Sequence, residues 1–357
     1  MNFQVIDPSD SLWREILHTL RHDFYHLPEY LTLEATRFAA VPEAVLISDR
    51  EAIFFAPYLL RPCRNISEEE FHLSESFDVV SPNGYAGILL NEAAICKPGF
   101  IATAMQKLIH FFQDRRICSA FLRLHPLLND RFNELYPSEF CEASLETITI
   151  DLTLSEVEIW QQTRSSHRNR INKCKRAGFI ARRVPFSPYL DEFISIYNET
   201  MDRVQASPSA YFYHEYFWRL ADILGETLDL WIVEFHNEIA SAGLFTECCG
   251  IVQYHLGGTR TAFLKYSPIV LLFDDVRWCM KERGNEQMHL GGGVGGSKDS
   301  LHHFKAGFSQ RKCRLPLLRL ITDSKEYDRL VEIRAKSLNV QTEQLLRTGF
   351  FQPIDRP

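Results

Sequence analysis

The sequence predicts an α/β protein made of two related domains in tandem. The chain has 357 residues, which as a prior corresponds to about two domains. One order of elements occurs twice: a strand, a glycine-containing loop, an amphipathic helix and a second strand, at residues 77–124 and 251–290. The copies are roughly 170 residues apart, which indicates a duplicated domain and not a short-period solenoid.

The composition is that of a folded protein. Hydrophobic residues make up 45% and aromatic residues 12% of the chain, enough for large cores. No apolar run approaches the ~20 residues that a membrane helix needs, and the N-terminus lacks the apolar segment of a secretory signal. The cysteines are odd in number, nine, and never spaced Cys-x-x-Cys, which favours reduced thiols in a cytoplasmic protein.

A metal site is not expected from these cysteines. Cys248 and Cys249 together with His255 are a possible cluster, but their spacing matches no established zinc pattern. The sequence therefore predicts a protein without a bound metal.

The elements of the first half follow from their residue patterns. Leu12, Ile16 and Leu20 share one face of a helix predicted over 9–22. A hairpin, a strand that leads into the turn-rich residues 81–87, an amphipathic helix and a further strand are predicted at 44–60, 77–80, 101–112 and 117–124.

The second half opens at residues 147–154, where apolar and polar residues alternate as in a half-buried strand. The basic residues that follow form a helix that ends at Gly178. Further helices are predicted at 192–203, 212–224 and 269–280, and strands at 228–235, 239–247, 251–256, 286–290 and 315–321, before a polar helical tail.

Residues 286–308 are the first candidate site. A buried strand leads into five glycines within six residues, and a short helix follows with Ser297 as its expected N-cap. Glycines let a ligand approach the backbone, and a helix N-terminus presents unpaired N–H groups. The pattern indicates a site for an anionic or carbonyl-bearing ligand, although tight packing is an equally simple reason for the glycines.

A second candidate is the basic stretch 164–183, which contains eight Lys or Arg and no Asp or Glu. The net charge of the chain is −7, so the remainder carries −15. Arg164, Arg168 and Lys175 share one face of the predicted helix and could hold phosphates by charge-assisted hydrogen bonds. A solvated basic face is the alternative.

Several segments, in this order along the second half, resemble the FemAB-like branch of the GNAT acyltransferase superfamily. They are SHRNRINK at 166–173, YFY at 211–213, ASAG at 240–243, YHLGGT at 254–259, LGGG at 290–293 and FKAGF at 304–308. Residues 81–87, 121–127 and 350–353 resemble further family segments.

The resemblance implies two tandem GNAT-like domains, each a mixed β-sheet flanked by helices. Residues 1–150 would be a degenerate acceptor-side domain, 151–325 the domain with the acyl-transfer centre, and 326–357 a helical tail. It also implies transfer of an acyl or aminoacyl group to a primary amine of a cell-envelope or polysaccharide precursor. The expected co-substrate is acyl-CoA, with aminoacyl-tRNA as the alternative donor, and no DNA partner is expected.

The resemblance also assigns roles to individual residues. Lys305 is expected to stabilise the oxyanion of the tetrahedral intermediate, which aminolysis requires, together with the main-chain N–H groups of Gly292 and Gly293. Tyr254 is expected to relay a proton or to contact the ligand, whereas His255 is expected in the core because neighbouring strand residues face opposite ways. A solvated Lys305 is the structural alternative.

Substrate-binding roles are expected on both halves. Arg164 and Arg168 would bind phosphates of a nucleotide-linked acceptor or of the donor, and Asn83 and Tyr85 would contact the acceptor, unless the loop 81–87 is only a turn. The acidic candidates for a base, Asp274, Asp275 and Glu247, have no distinguishing context.

Two features of the sequence differ from those expected of the best-known members of the family. CoA-dependent relatives have a glycine-containing pyrophosphate loop where this chain has residues 260–268, which include no glycine. The long helical insertion linked to tRNA contact in peptidoglycan-bridge enzymes is also missing between 203 and 290. A non-catalytic binding or scaffold protein is therefore a further alternative.

Overall fold

The computed structural model describes residues 1–63, 76–136 and 141–346, without the side chains of 142–144. The chain divides into two compact units. Unit 1 comprises Met1–Ser144 and Arg314–Pro357, and unit 2 comprises Leu145–Cys313.

The elements of unit 1, in chain order up to the boundary, are β1 (Asn2–Ile6), α1 (Ser11–Thr19), α2 (Pro28–Phe38), β2 (Val41–Asp49), β3 (Ala52–Pro62), β4 (Phe77–Val80), β5 (Leu89–Leu90), α3 (Glu92–Cys96), α4 (Phe100–Asp114), β6 (Ile117–Arg123) and α5 (Phe132–Leu135).

Unit 2 and the return to unit 1 follow. The elements are β7 (Cys141–Asp151), α6 (Glu156–Gln162), α7 (Ser165–Ala177), β8 (Ile180–Val184), α8 (Phe186–Arg203), α9 (His214–Leu224), β9 (Leu228–Phe235), β10 (Glu238–Cys248), β11 (Ile251–Thr259), α10 (Ile269–Glu282), β12 (Gln287–Gly291), α11 (Ser300–Lys305), β13 (Lys312–Ile321), α12 (Ser324–Leu338) and α13 (Thr342–Leu345).

Unit 1 is a mixed sheet with the strand order β1-β2-β3-β4-β6-β13, and β5 pairs with β3. β4 and β6 are parallel, and the other pairs are antiparallel. The helix α4 connects the parallel strands, and its apolar face, which includes Ala104, Met105, Leu108 and Phe112, is fully buried. This is the face that the helical period of the sequence predicts.

Unit 2 repeats this connection in a mixed sheet with the order β7-β12-β11-β10-β9-β8. Its one parallel pair is β11 with β12, joined by α10, among the pairs found between described residues. Val270, Leu272 and Val276 of α10 are fully buried against the sheet. The predicted fold class, mixed sheets flanked by helices, is thus confirmed.

Three stretches differ from the sequence-based expectations. Gly257 and Gly258, predicted as a loop, are the continuation of β11. A Cβ on Gly258 would lie 2.4 Å from Thr200 Oγ1 and 2.7 Å from the Ile196 carbonyl, so the missing side chain lets α8 approach the strand. The glycine pair therefore reflects close packing and not a turn.

The second difference lies at residues 23–30, an aromatic segment whose residue pattern predicts a turn. A short 3₁₀ turn at Phe24–His26 is followed by the full helix α2, which begins with Pro28 in its first turn. Proline is favoured there because the first N–H groups of a helix have no partner within it.

The third difference is the C-terminal segment. Residues 317–321 of β13 pair with β6, which brings them into unit 1, although the sequence-based division extended the second domain to 325. The tail predicted as polar is amphipathic over α12, where Tyr327, Leu330 and Val331 are buried. The segment 350–353 used for the family resemblance lies outside the described residues.

All nine cysteines lie within the described residues, and none of them forms a disulfide. Among the helices of the described residues, each is too short or too polar to cross a membrane.

Candidate functional site

The candidate site of unit 2 is an opening between the two parallel strands β11 and β12. Ile251–Gln253 of β11 pair with Gln287–His289 of β12, and the pairing ends there. Both strands continue beyond this point, β11 to Thr259 and β12 to Gly291. Residues 251–253 are buried, whereas 254–257 are partly exposed, which is the pattern of a strand that loses its neighbour. This opening, bounded by residues 254–257 and 290–292, is called the fork below.

The last paired position before the fork is held by two buried side chains. His289 Nδ1 lies 2.6 Å from Gln253 Oε1, and these residues are register partners on β12 and β11. Residue types alone gave no sign of this pair, because the sequence does not reveal where two parallel strands separate.

A β-bulge on β11 changes the orientation expected for His255. Tyr254 and Leu256 pair with consecutive residues of β10, Phe245 and Leu244, so His255 is an additional residue. The two-residue alternation used in the sequence analysis does not hold across a bulge. His255 is accordingly partly exposed and not the buried core residue that alternation predicted.

Lys305 lies at the fork and is 7% exposed. It is in the last turn of α11, and its Nζ donates a hydrogen bond to the carbonyl oxygen of Gly292 at 2.8 Å. Nζ also lies 5.8 Å from the ring centre of Tyr254. The structure therefore brings together Lys305, Gly292 and Tyr254, which are distant in sequence, and Lys305 is not the solvated lysine of the alternative interpretation.

Burial governs the charge of Lys305. Removal from water disfavours the ammonium form and lowers the pKa of Lys305 to about 8, against a smaller opposing effect of Asp299. The side chain is thus mainly protonated at pH 7 and close to half protonated at pH 8. A lysine poised in this range can either stabilise a developing negative charge or exchange a proton.

Tyr254 is packed among aromatic rings. Phe273 meets it edge-on with 4.6 Å between ring centres, and Phe245 lies at 5.5 Å. Burial raises the pKa of the Tyr254 hydroxyl well above its usual range, so the group is a hydrogen-bond donor at neutral pH. A Cβ on Gly257 would lie 2.7 Å from this hydroxyl oxygen, which explains a glycine at that position.

The glycines of the loop are explained by close contacts within the chain. A Cβ on Gly292 would lie 2.9 Å from the carbonyl oxygen of Glu146, and one on Gly293 would collide with Ser297 and Asp299. Within the described ranges, however, no hydrogen-bond acceptor is found for the N–H of either Gly292 or Gly293. The packing explanation of the glycines therefore accounts for their missing side chains but leaves two amide donors beside Lys305.

Asp299 and not Ser297 is the N-cap of α11. Its carboxylate accepts hydrogen bonds from the N–H groups of His302 and Val294, both at 2.9 Å, which ties the helix to the glycine loop. These hydrogen bonds oppose the effect of its burial and lower the pKa of Asp299. Serine is an acceptable cap, but a carboxylate gains additionally from the helix dipole.

Arg164 and Arg168 lie at the start of α7 and contact protein groups. Arg164 is the N-cap residue; its Nη1 is 2.7 Å from His303 Nε2, and its N–H donates to the Gly307 carbonyl at 2.8 Å. Arg168 reaches the carbonyl of Trp160 at 3.5 Å. Arg164 is therefore beside the segment that carries Lys305, and the phosphate-binding role of both arginines stays a prediction.

Lys175, grouped with them by helical spacing, takes part in a different contact. Its Nζ is 2.7 Å from Asp274 Oδ2, and Asp274 also accepts from the fully buried Arg277 at 2.6 Å. Glu247 is paired with Arg283. Burial raises the pKa of Asp275, the third acidic residue considered as a base, to about 6, and this residue lies 3.7 Å from Lys175.

A 3₁₀ helix, Thr261–Tyr266, lies within residues 260–268, the stretch that the sequence analysis compared with the glycine-containing loop of CoA-dependent relatives. Phe263 is buried in the core of unit 2, and the carbonyl of Tyr266 accepts a hydrogen bond from Cys174 of α7. This backbone is packed against other elements and gives no open glycine cradle for a pyrophosphate.

Asn83 and Tyr85 belong to a separate cluster in unit 1. Tyr30 donates its hydroxyl hydrogen to the Asn83 carbonyl at 2.8 Å, and the Asn83 N–H donates to buried Glu34. Tyr85 packs edge-on against Tyr25, whose ring also occupies the space that a side chain at Gly84 would need. The loop is rigidly held, and its contact with an acceptor stays a prediction.

Comparisons with known proteins agree with this geometry. Residues 161–305 match the model of the acetyltransferase (GNAT) domain family. Among solved structures, FemX matches with a TM-score of 0.68 at 10% identity, over 92% of this chain and 99% of that one. None of the curated proteins compared matches the sequence.

Two further structures have similar folds. One is L-PGS from Bacillus licheniformis, with a TM-score of 0.55 at 14% identity over 94% of this chain and 98% of that one. The other is the C-terminal domain of a putative lysylphosphatidylglycerol synthetase from Agrobacterium fabrum, with 0.54 at 12% identity over 94% and 95%. At these identities the likeness concerns the fold.

The family match covers the fork, the glycine loop and Lys305, and the FemX-like fold extends over most of the chain. The chain therefore contains a segment, residues 161–305, that is similar to the GNAT acetyltransferase domain, and it has the fold of FemX over most of its length.

Proposed function

We propose that the protein is an N-acyltransferase that moves an acyl group from acyl-CoA to a primary amine of a cell-envelope or polysaccharide precursor. The observation that carries this proposal is the buried Lys305 at the fork, where its Nζ lies on the Gly292 carbonyl beside Tyr254. A charged group held away from water beside unpaired amides suits a reaction that develops negative charge on oxygen.

The reaction assigns a task to each group. The neutral amine attacks the thioester carbonyl, the carbon–sulfur bond breaks, and the thiolate leaves as the amine loses a proton. The Lys305 ammonium and the N–H groups of Gly292 and Gly293 stabilise the oxyanion. Tyr254, whose raised pKa keeps its hydroxyl protonated, relays the proton: the hydroxyl protonates the leaving thiolate and takes up in turn the proton that the amine loses.

Substrate binding would use the residues that the sequence analysis selected in each unit. Arg164 and Arg168 would bind phosphates of the donor or of a nucleotide-linked acceptor, and Asn83 and Tyr85 would contact the acceptor. We place the reaction in the cytoplasm, because the nine cysteines, all within the described residues, form no disulfide, as is usual in a reducing compartment.

A second donor has its own support. The packed 3₁₀ helix Thr261–Tyr266 lies within the stretch compared with the pyrophosphate loop, which disfavours ordinary CoA binding. Two structures of similar fold carry names that denote a lysylphosphatidylglycerol synthetase or L-PGS. Transfer of an aminoacyl group from aminoacyl-tRNA is therefore the competing candidate, and a non-catalytic scaffold is the third.

A donor-binding experiment separates the first two candidates. The purified chain is heated with acetyl-CoA, with CoA, or with charged and uncharged tRNA, and Tm is recorded. The proposal predicts stabilisation by both CoA compounds and none by tRNA, since a ligand that binds the native state raises Tm. Stabilisation by charged tRNA alone would indicate that the donor is aminoacyl-tRNA and not acyl-CoA. A second assay offers each donor to a panel of amino-sugar nucleotides, and the absence of any acyl transfer there would favour the scaffold.

A further inference from the structure

His167, in the first turn of α7, is buried against the segment that carries Lys305. It is 3% exposed. Its ring lies between those of Phe304 and Phe308, with ring-centre distances of 5.2 Å and 4.8 Å. In the sequence, this residue belongs to the short segment at 166–173 and has no further assigned role.

The ring is fixed by a hydrogen bond as well as by packing. His167 Nε2 donates to the carbonyl oxygen of Phe304 at 2.9 Å, and this oxygen also accepts from the N–H of Gly307. Burial lowers the pKa of His167 to about 4, and Arg170, Arg164 and His303 add to the effect. The imidazole is therefore neutral at pH 7, with its hydrogen on Nε2.

The second ring nitrogen of His167, Nδ1, is in an energetically unfavourable environment. Nδ1 is buried and has no hydrogen-bond partner among the described residues. A buried acceptor without a partner destabilises the folded state, whereas a phenylalanine would fill similar space without this cost. Packing alone therefore does not explain a histidine here, and the hydrogen bond to Phe304 does.

Gly307 is matched to the same ring. A Cβ at this position would lie 2.3 Å from His167 Nε2, so the imidazole occupies the place of a side chain. The Gly307 carbonyl accepts from the Arg164 N–H at 2.8 Å, and the Phe308 carbonyl accepts from Thr163 Oγ1 at 3.4 Å. The start of α7 thus holds the residues on both sides of Lys305.

We propose that His167 is a positioning residue for Lys305: its hydrogen bond to Phe304 fixes the last turn of α11 and with it the contact between Lys305 and the Gly292 carbonyl. The hydrogen bond to the Gly292 carbonyl orients the ammonium, and the charge of Asp299 acts on it as well. The functional consequence rests on the proposed role of Lys305 in acyl transfer, but the positioning itself can be measured without a substrate.

The test compares His167→Phe and His167→Asn with His167→Gln. Phenylalanine keeps a ring but has no hydrogen-bond donor. Asparagine places its amide nitrogen near the position that Nδ1 has in His167, which is too far from the Phe304 carbonyl for a hydrogen bond. Glutamine can place its amide nitrogen near Nε2 and donate. Each variant of the full chain is treated briefly with acetic anhydride, and the acetylation rates of individual lysines are measured by mass spectrometry. Lys281 is the internal control, because it is partly buried in unit 2 and donates to the carbonyls of Leu152 and Leu154.

We expect Lys305 to react about fivefold faster in the Phe and Asn variants, which is the effect of losing one hydrogen bond, and at the wild-type rate in the Gln variant. The Lys281 rate should not change. Equal Lys305 rates in all variants, or a parallel rise for Lys281, would overturn the proposal, because the effect would then be absent or a general loosening. If the Phe variant does not fold, the Asn and Gln pair gives the same comparison.

An activity arm separates this proposal from the proposed function. With acetyl-CoA and UDP-glucosamine as probes, kcat of His167→Phe should fall with KM unchanged, and the same substitution should cost nothing further in Lys305→Met. If Lys305 is labelled faster in the His167→Phe and His167→Asn variants but Lys305→Met transfers acyl groups as fast as wild type, the positioning role of His167 is supported and the catalytic role of Lys305 is rejected.

Discussion

At the scale of single residues, Lys305 is a functional group held at an energetic disadvantage. Its ammonium is buried and has one carbonyl as its hydrogen-bond acceptor, and its pKa falls to about 8 for that reason. A group placed for stability would be expected to gain a carboxylate partner. Strain of this kind, maintained by the surrounding structure, is typical of functional sites.

Lys305→Met should therefore stabilise the protein at pH 7. The shift from 10.5 to about 8 corresponds to about 3 kcal/mol of destabilisation at about 1.4 kcal/mol per pKa unit. Loss of the hydrogen bond to Gly292 offsets about 1 kcal/mol of the gain, so about 2 kcal/mol should remain. Urea unfolding of both proteins measures this difference.

The same measurement at higher pH fixes its origin. The unfolded lysine keeps its proton up to about pH 10.5, whereas the folded one loses it near pH 8. The wild type therefore gains stability as pH rises from 8 to 10.5, and the advantage of the Met variant should shrink at pH 10. A Met variant less stable than wild type at pH 7, or a difference independent of pH, would show that Lys305 is well accommodated.

Residue types predicted part of this site. Lys305, Gly292 and Tyr254 were chosen from the sequence together with the family resemblance, and they meet at the fork. His167 was missed as a partner of Lys305 because its environment depends on the approach of α7 to α11. Asp299 carries a recognisable signal, a carboxylate at the start of a helix, which the neighbouring Ser297 obscured.

At the scale of elements, α7 and α10 are joined by a buried charged network. Arg277 is fully buried between Trp160 and Trp278 and donates to Asp274 and Thr163. The outer part of the network is Lys175, which also reaches Asp274. The basic sequence of α7 thus has a structural component in addition to its exposed cations, which the spacing of charges could not separate.

Asp274→Leu should be strongly destabilising. It leaves the Arg277 guanidinium buried without its carboxylate, a change that costs about 3–5 kcal/mol. The double variant Asp274→Leu/Arg277→Leu should be more stable than Asp274→Leu alone, because the uncompensated charge is gone. Urea unfolding of the two variants decides this, with exposed Arg170→Leu as the control. A double variant less stable than the single one would indicate that the network gains more from its ion pair than burial costs.

The elements themselves were predicted where one physical pattern dominates. The helical period identified α4 and α10, and alternation identified β7. Gly257 and Gly258 led to a wrong prediction of a loop, because a glycine pair occurs both in turns and in closely packed strands. The close approach of α8 to β11 requires glycine at position 258, and the sequence does not show that approach. For His255, the bulge opposite Leu244 and Phe245 interrupts the alternation on which the expectation rested.

At the scale of the whole molecule, each unit contains one pair of parallel strands joined by a helix. The pairs are β4 with β6 and β11 with β12. The repeated order of elements in the sequence predicted this duplication, because each copy leaves a strand, a helix and a strand in fixed succession. The return of the C-terminal segment to unit 1 was not predictable, since strand pairing over that sequence distance has no local signal.

Leu330→Ala should show that the C-terminal helix belongs to the core of unit 1. Leu330 is fully buried in α12 together with Cys63 and Cys118, and such a truncation costs about 2–5 kcal/mol. Exposed Glu332→Ala on the same helix should change stability by less than about 0.5 kcal/mol. Urea unfolding checks both. A neutral Leu330→Ala would mean that α12 is a peripheral tail, as the sequence suggested.

The central claim is that Lys305 acts in acyl transfer at the fork, and the rate of Lys305→Met tests it most directly. With acetyl-CoA as donor and UDP-glucosamine as the probe amine, release of the CoA thiol is followed for wild type, Lys305→Met and the exposed control Lys173→Met. We predict that kcat/KM falls about 10²-fold or more in Lys305→Met, with Tm unchanged or raised, and that Lys173→Met resembles wild type. Removal of one oxyanion donor typically lowers the rate far more than twofold. A kcat/KM of Lys305→Met within about twofold of the wild-type value would therefore contradict a catalytic role for Lys305.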